Sequence, residues 1–408
     1  SVAVGNSALG AQNFTTATDT YNTAVGYNAG TLVTTGANNT LIGGLSGDAL
    51  TTGAGNVSVG TSSLSASQTG NNGTAVGYGA LAATTTSDNT GIGYLAGQAV
   101  TTGERNTLIG ANAGDALTDA DYNIALGWSA LGADTLGSRS TALGYNALSS
   151  QNFTTATDAY NVAVGMFAGE AVTTGIQNTL IGSLAGVALT DADRNVAVGL
   201  EALAADTLGS NSVAIGPLAL NNQNFTTATN SYNTAVGANA GTAVTTGIEN
   251  TLVGGLAGDA ITTGSQNVAL GYLALSSDDL GSDSVAIGKG ALENQNYTTA
   301  TNSYNTAVGR DAGNDITTGV SNTLVGGLAG DALTDADFNV AIGMQALTAD
   351  TLGSRSVAIG LEALATQNFT TATDAYNTAV GAGAGQAVTT GVKNTIIGGL
   401  AADRLTDA

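Results

Sequence analysis

A five-residue unit, Asn/Ser-x-x-aliphatic-Gly, recurs along the whole chain and leaves few folds open to it. It reads SVAVG at 1, NTAVG at 22, NTLIG at 39 and NVSVG at 56, and continues to NTIIG at 394. There are 23 copies in 408 residues, one of them opening on Gly73 instead of Asn or Ser, and most closing glycines stand 17 apart. From Gly165 onward the spacings run 17, 17, 17 and 21 and then repeat, so a 72-residue super-repeat of four units overlies the short one. An insert carries the extra residues: QNFTTATDAYN at 151, QNFTTATNSYN at 223, QNYTTATNSYN at 295 and QNFTTATDAYN at 367, with QNFTTATDTYN at 12. Between Gly77 and Gly93 the insert is missing and the spacing falls to 16, the one clear break.

The unit has the chemistry of a solenoid coil. The residue before the closing glycine is aliphatic in every copy (Val25, Ile42, Val59, Val76, Ile92), and the residue two before it is mostly Thr or Val. Strand side chains alternate, so these two share a face, with Ala or Leu between them. The glycine permits a bend that a Cβ would obstruct. Three residues later comes Ala or Ser in every copy, as close backbone approach requires, and a second turn signal, TTG or TLG, follows. Each coil thus reads as two short strands and two bends. So short a unit cannot bury an apolar face alone and must stack on its neighbours. Glycine and β-branched residues at such short intervals disfavour helix throughout.

The expected fold is all-β: a parallel β-solenoid, or β-roll, of about 23 coils forming a single continuous repeat domain over 1–408. Stacked about 4.8 Å apart, the coils would extend roughly 110 Å. The asparagine opening 17 of the 23 copies is expected to form a ladder that satisfies buried backbone groups. Because the chain begins and stops inside the cycle, it reads as a segment of a longer fibre.

Composition narrows function by exclusion. The formal net charge is −22, from 30 acidic and 8 basic residues. Eight cations spread from Arg105 to Arg404 read as too few and too scattered for the cationic stripe that a phosphate backbone needs, so no nucleic-acid partner is expected. No apolar run is long enough to span a bilayer. With no His and no Cys, histidine-based triads, thiol nucleophiles and the usual zinc sites are absent, and no enzyme is expected.

At its NTAVG and SVAIG units the sequence resembles the head repeats of YadA-like trimeric autotransporter adhesins, and repeats of the same type in bacteriophage tail fibres. The resemblance covers essentially the whole chain. It implies a left-handed roll, a homotrimer or filament, and an extracellular place on a cell or virion surface. The 72-residue super-repeat and the QNFTTAT insert depart from the adhesin pattern.

Three sets of residues are candidate sites. The insert places Phe14, Phe153, Phe225, Tyr297 and Phe369 in equivalent positions, followed by Tyr21, Tyr160, Tyr232, Tyr304 and Tyr376. Such a row offers aromatic platforms for sugars or a neighbouring fibre; the alternative is that the two rings pack together and cover a widened coil. The insert also carries Asn-x-Thr sequons at Asn13, Asn152, Asn224, Asn296 and Asn368, potential glycan acceptors. The LTDAD element pairs Asp119 with Asp121, Asp191 with Asp193 and Asp335 with Asp337. These are calcium ligands in one reading and a solvated acidic bend in the other.

The leading functional expectation is a structural, adhesive extracellular fibre that self-associates and binds surface glycans or a host receptor along its flank. An ice-binding solenoid would need flat ranks of Thr, and the rank after the opening Asn is interrupted by Val. A polysaccharide-cleaving solenoid would need long loops around paired carboxylates, and the repeat has none.

Overall fold

The computed structural model describes residues 1–407. Two compact units divide the chain, Ser1–Val198 and Gly199–Ala408. No helix occurs among the described residues, so none is long and apolar enough to cross a membrane.

Each unit is a parallel β-solenoid. The first holds twelve three-residue strands, from Val2–Val4 to Val196–Val198, and the second holds eleven, from Val213–Ile215 to Thr395–Ile397. Neighbouring strands pair parallel and in register: Ala24 faces Leu41 in the first unit and Leu252 faces Ala269 in the second. The glycine that ends each strand is demanded twice over. Gly237 has a φ of 144°, and a Cβ there would collide with the carbonyl oxygen of Gly254 in the next coil.

The expected second strand is formed only beside the insert. There Gly137–Ser138 pairs with Thr157–Asp158, and Gly281–Ser282 pairs with Thr301–Asn302. Elsewhere the chain rounds the coil in successive turns, with left-handed residues such as Asn28 (φ 55°) and Leu45 (φ 57°). Alternating left- and right-handed residues keep bending the backbone, so it never extends into a strand. Coil-to-coil hydrogen bonding persists without the strand, as in Gly30 N–H to Ser46 O at 3.0 Å and Thr34 N–H to Thr51 O at 2.9 Å.

The core is narrow. Between the terminal coils, the middle residue of each three-residue strand points inward and is buried, as are the Ala or Ser after the bend and the aliphatic residue before TTG (Ala24, Ala29, Val33; Leu252, Ala257, Ile261). Packing works by exchange of volume between coils. In NTLIG-type coils a leucine occupies the strand, and glycines take the bend beside it. A Cβ on Gly241 would lie 2.7 Å from Leu252, and one on Gly258 would lie 2.8 Å from both Leu252 and Ile261. Where the strand carries Ala, as at Ala142 and Ala214, the leucine comes from the bend instead (Leu148, Leu220). Total side-chain volume per layer is thereby held, which close packing requires.

The asparagine ladder forms as expected and bonds mainly to backbone. Asn22 Oδ1 accepts the N–H of Asn39 at 2.9 Å, and Asn22 Nδ2 donates to Gly36 O at 2.7 Å. In the second unit, Asn233 Oδ1 accepts the N–H of Asn250 at 2.9 Å and Asn233 Nδ2 donates to Gly247 O at 2.7 Å.

Candidate association surface and insert flank

Because the middle residue of each strand faces in, its two neighbours face out. The face shared by the Thr/Val position and the aliphatic position is therefore the exterior one. Val25, Ile42, Ile92, Ile124 and Leu126 of the first unit are exposed, as are Ile215, Leu270 and Ile342 of the second. No outward position of the three-residue strands carries a charge in a chain of net charge −22. Three residues of strand span about 10 Å, and eleven or twelve strands about 50–60 Å, so each unit presents on the order of 500 Å² of this face. Thr holds the first position in 13 of the 23 strands, so the aliphatic part is on the order of 350 Å², within the range of the largest apolar patch of an ordinary monomer, about 300–600 Å², a class often functional. The position after the closing glycine borders the face and adds exposed rings in the first unit. Tyr78 stacks on Tyr94 with centroids 5.6 Å apart, and Trp128 stacks on Tyr145 at 5.0 Å.

The insert flank separates its two aromatic positions. Phe153, Phe225, Tyr297 and Phe369 are buried (Phe14 is half-buried), whereas Tyr21, Tyr160, Tyr232, Tyr304 and Tyr376 are exposed, up to 70% at Tyr21. The buried ring fills the widened coil. At Tyr297 the hydroxyl also donates to Gly319 O at 2.7 Å and accepts from Asn305 Nδ2 at 3.2 Å. Burial pushes that hydroxyl far above the usual tyrosine range. The exposed tyrosines are left-handed residues just before the opening Asn, with φ of 44–52°.

That coil position also gathers cations that the sequence reading took as scattered. It holds Arg105, Arg139 and Arg194 in the first unit and Arg355 and Lys393 in the second, five of the eight basic residues. The Arg139 guanidinium lies 5.0 Å from the Tyr122 ring and 5.8 Å from that of Tyr160. Arg355 lies 4.8 Å from Phe338 and 5.8 Å from Tyr376. Arg139 pairs with Asp158 at 2.9 Å and Arg355 with Asp374 at 3.0 Å, so insert carboxylates neutralise both. Aligning the coils on their glycines would have revealed this column.

The sequon residues Asn13, Asn152, Asn224, Asn296 and Asn368 are all exposed. Asn152 Oδ1 accepts from Thr135 Oγ1 at 3.1 Å, and Asn368 Oδ1 from Thr351 Oγ1 at 3.1 Å. The LTDAD carboxylates engage the preceding coil. Asp119, Asp191 and Asp335 each accept a threonine hydroxyl at 2.6 Å, from Thr102, Thr174 and Thr318. Asp121, Asp193 and Asp337 each accept a backbone N–H at 2.7–2.8 Å. Among the described residues no three acidic side chains gather as a metal-holding group.

A buried polar set went unnoticed in the sequence. Asp134, Asp206, Asp278 and Asp350 occupy a core position that is Val, Leu or Ile in most other coils and the insert glutamine in the coil that follows, and all four are fully buried. Each accepts from an insert glutamine: Gln151 to Asp134 at 2.5 Å, and Gln223, Gln295 and Gln367 to Asp206, Asp278 and Asp350 at 2.6 Å. The same glutamine amide donates to the serine that opens the coil, at 2.8 Å for both Ser212 and Ser284. Serine therefore replaces asparagine wherever an insert follows, because the glutamine supplies the amide that the shorter side chain lacks. Burial pushes these four carboxyls above the usual range, with their hydrogen bonds opposing it.

No protein-family model matches the chain, and no curated protein matches it.

Proposed function

We propose that the chain is the self-associating shaft of an extracellular adhesive fibre, packed copy against copy through its aliphatic exterior face. The observation that carries this reading is the unbroken outward aliphatic position. An uncharged face with an aliphatic side chain in every coil gains by burial against another such face. The resemblance to adhesin heads and phage fibres adds a left-handed homotrimer at a cell or virion surface. In that arrangement the exposed insert tyrosines and sequons lie on a flank available to glycans or a host receptor.

Sedimentation of the purified chain before and after deglycosylation tests the reading. A protein mass near three times 39.6 kDa supports the trimer, and larger species support a filament. A single-chain mass at every concentration overturns self-association. Mass lost on deglycosylation would make the sequon row a modification site.

An ice-binding solenoid is the competing reading, favoured by the outward threonines Thr23, Thr40, Thr74, Thr90 and Thr107. Thermal hysteresis by a single-chain species would support it.

A further inference from the structure

We propose that a notch recurring once per four coils beside the aliphatic face receives a bulky side chain of a second copy, and so fixes the axial register in which copies associate. The inference rests on the self-association reading and adds the device that aligns the copies.

The notch lies at the position immediately after the closing glycine. In the second unit every fourth coil has glycine there: Gly255, Gly327 and Gly399. In the first unit the corresponding residues are Gly44, Ala111 and Ser183, again the smallest side chains. Neither of the usual reasons for glycine applies. Gly44, Gly255, Gly327 and Gly399 all lie outside the left-handed region. A Cβ on Gly327 would have only the Arg310 carbonyl oxygen near it, at 3.9 Å, and one on Gly44 would meet nothing within 4 Å. The strand-closing glycines next to them, by contrast, could not accept a Cβ. At Gly255 the ring of Tyr272 lies 3.6 Å from where a Cβ would sit, and at Gly44 and Gly327 the space is unused by the chain itself.

At Gly327 that space is an open depression of about 230 Å³ walled by Arg310, Leu328 and Met344. It lies two residues beyond Val325, at the border of the aliphatic face. One coil on, the same position carries a bulky residue: Tyr272 follows Gly255 and Met344 follows Gly327, and both are more than half exposed. Notch and knob thus share one column and one 72-residue period.

The period selects the occupant. Four coils rise about 19 Å, so the notches are evenly spaced at that interval within each unit. A partner lacking this repeat would fill one notch and meet a knob out of place at the next. A second copy has knobs at the same interval by construction. Each unit's strand face is also of the order that half of a standard interface needs, about 800 Å² per partner, once its bordering position is included.

The test uses the full chain. Gly255→Phe/Gly327→Phe fills two notches at positions free of backbone strain, where the nearest side chain is the exposed Tyr272 ring beside Gly255, and Tyr272→Ala/Met344→Ala removes two exposed knobs. Both are compared with wild type by sedimentation equilibrium, with far-ultraviolet circular dichroism and thermal unfolding as the check on folding. The expected result is association weakened at least tenfold in both variants, with spectra unchanged and Gly255→Ala/Gly327→Ala close to wild type. If notch-filled and knob-truncated chains both associate as tightly as an associating wild type, the register device is overturned and self-association stands. If wild type is a single chain at every concentration, the self-association reading falls and this inference with it. Should the phenylalanine variant fail to fold, the knob-truncated variant alone decides.

Discussion

The four buried carboxylates show how a single residue can serve a repeat at some cost to stability. Asp278 lies in a core column between Ile261 and Gln295, and it accepts the Gln295 amide, the N–H of Gly281 at 3.0 Å and the N–H of Tyr297. These bonds hold the insert against the coil below, while burial still disfavours the charge. Folded Asp278 therefore binds its proton more tightly than the unfolded chain does, and protons stabilise the fold. Stability is expected to rise as pH falls from neutral through the raised folded pKa, and to level off near the unfolded value of about 4. Urea unfolding across this range checks the direction; stability that fell on mild acidification would contradict it. Gln295→Leu removes the one side-chain donor to Asp278 and should cost about 1–3 kcal/mol near neutral pH. That loss should shrink in mild acid, where the carboxyl takes up a proton. A pH-independent loss would mean that Gln295 matters only through Ser284 and Asn305, its other partners at 2.8 and 2.9 Å.

At the scale of one coil, the element is a three-residue strand closed by glycine and followed by turns, and its stability comes from volume shared with its neighbours. Leu252 fills the space left by Gly241 below and Gly258 beside it. Leu252→Ala is expected to destabilise by about 2–5 kcal/mol, because rigid glycine bends leave nothing to collapse into the cavity. Gly258→Ala should also destabilise, since it forces a Cβ into a left-handed residue (φ 56°) already crowded by Leu252 and Ile261. Chemical denaturation of both variants checks this, and a neutral Gly258→Ala would show that the bend can relax. The Arg–aromatic column is a milder feature of the same element. Exposed cation–π contacts contribute about 0.5–1 kcal/mol each, so Arg139→Ala should lower stability slightly and leave association unchanged.

For the whole molecule, the distribution of charge over its surfaces decides how it meets other copies. The outward positions of the three-residue strands carry no charge, while the exposed acidic residues sit on bends and inserts. Association through this face is expected to strengthen in sulfate and to resist dissociation by sodium chloride, as burial of apolar surface does. Sedimentation in the two salts checks this, and dissociation by sodium chloride would point instead to charged contacts such as those of the arginine column. Binding of copies should also show a negative heat-capacity change by calorimetry.

Much of this was fixed by the sequence itself. Period, parallel stacking, the closing glycine and the asparagine ladder follow from the five-residue unit, because a short coil with one strained bend has few ways to satisfy its backbone. Exposure of the sequons was equally legible, since insertions leave a regular core for its surface. Only the tertiary structure decided which strand face points inward. Alternation pairs Thr23 with Val25 and opposes Ala24, but it assigns neither set to the interior, and the choice goes to the column whose volume is complemented by the bend, Ala beside a bend leucine and Leu beside bend glycines. The same holds for Asp278 in a largely aliphatic column, for Phe153 buried while Tyr160 is exposed, and for arginines aligned from distant positions. Each depends on which residues of successive coils are stacked together, a relation set by the winding of the chain.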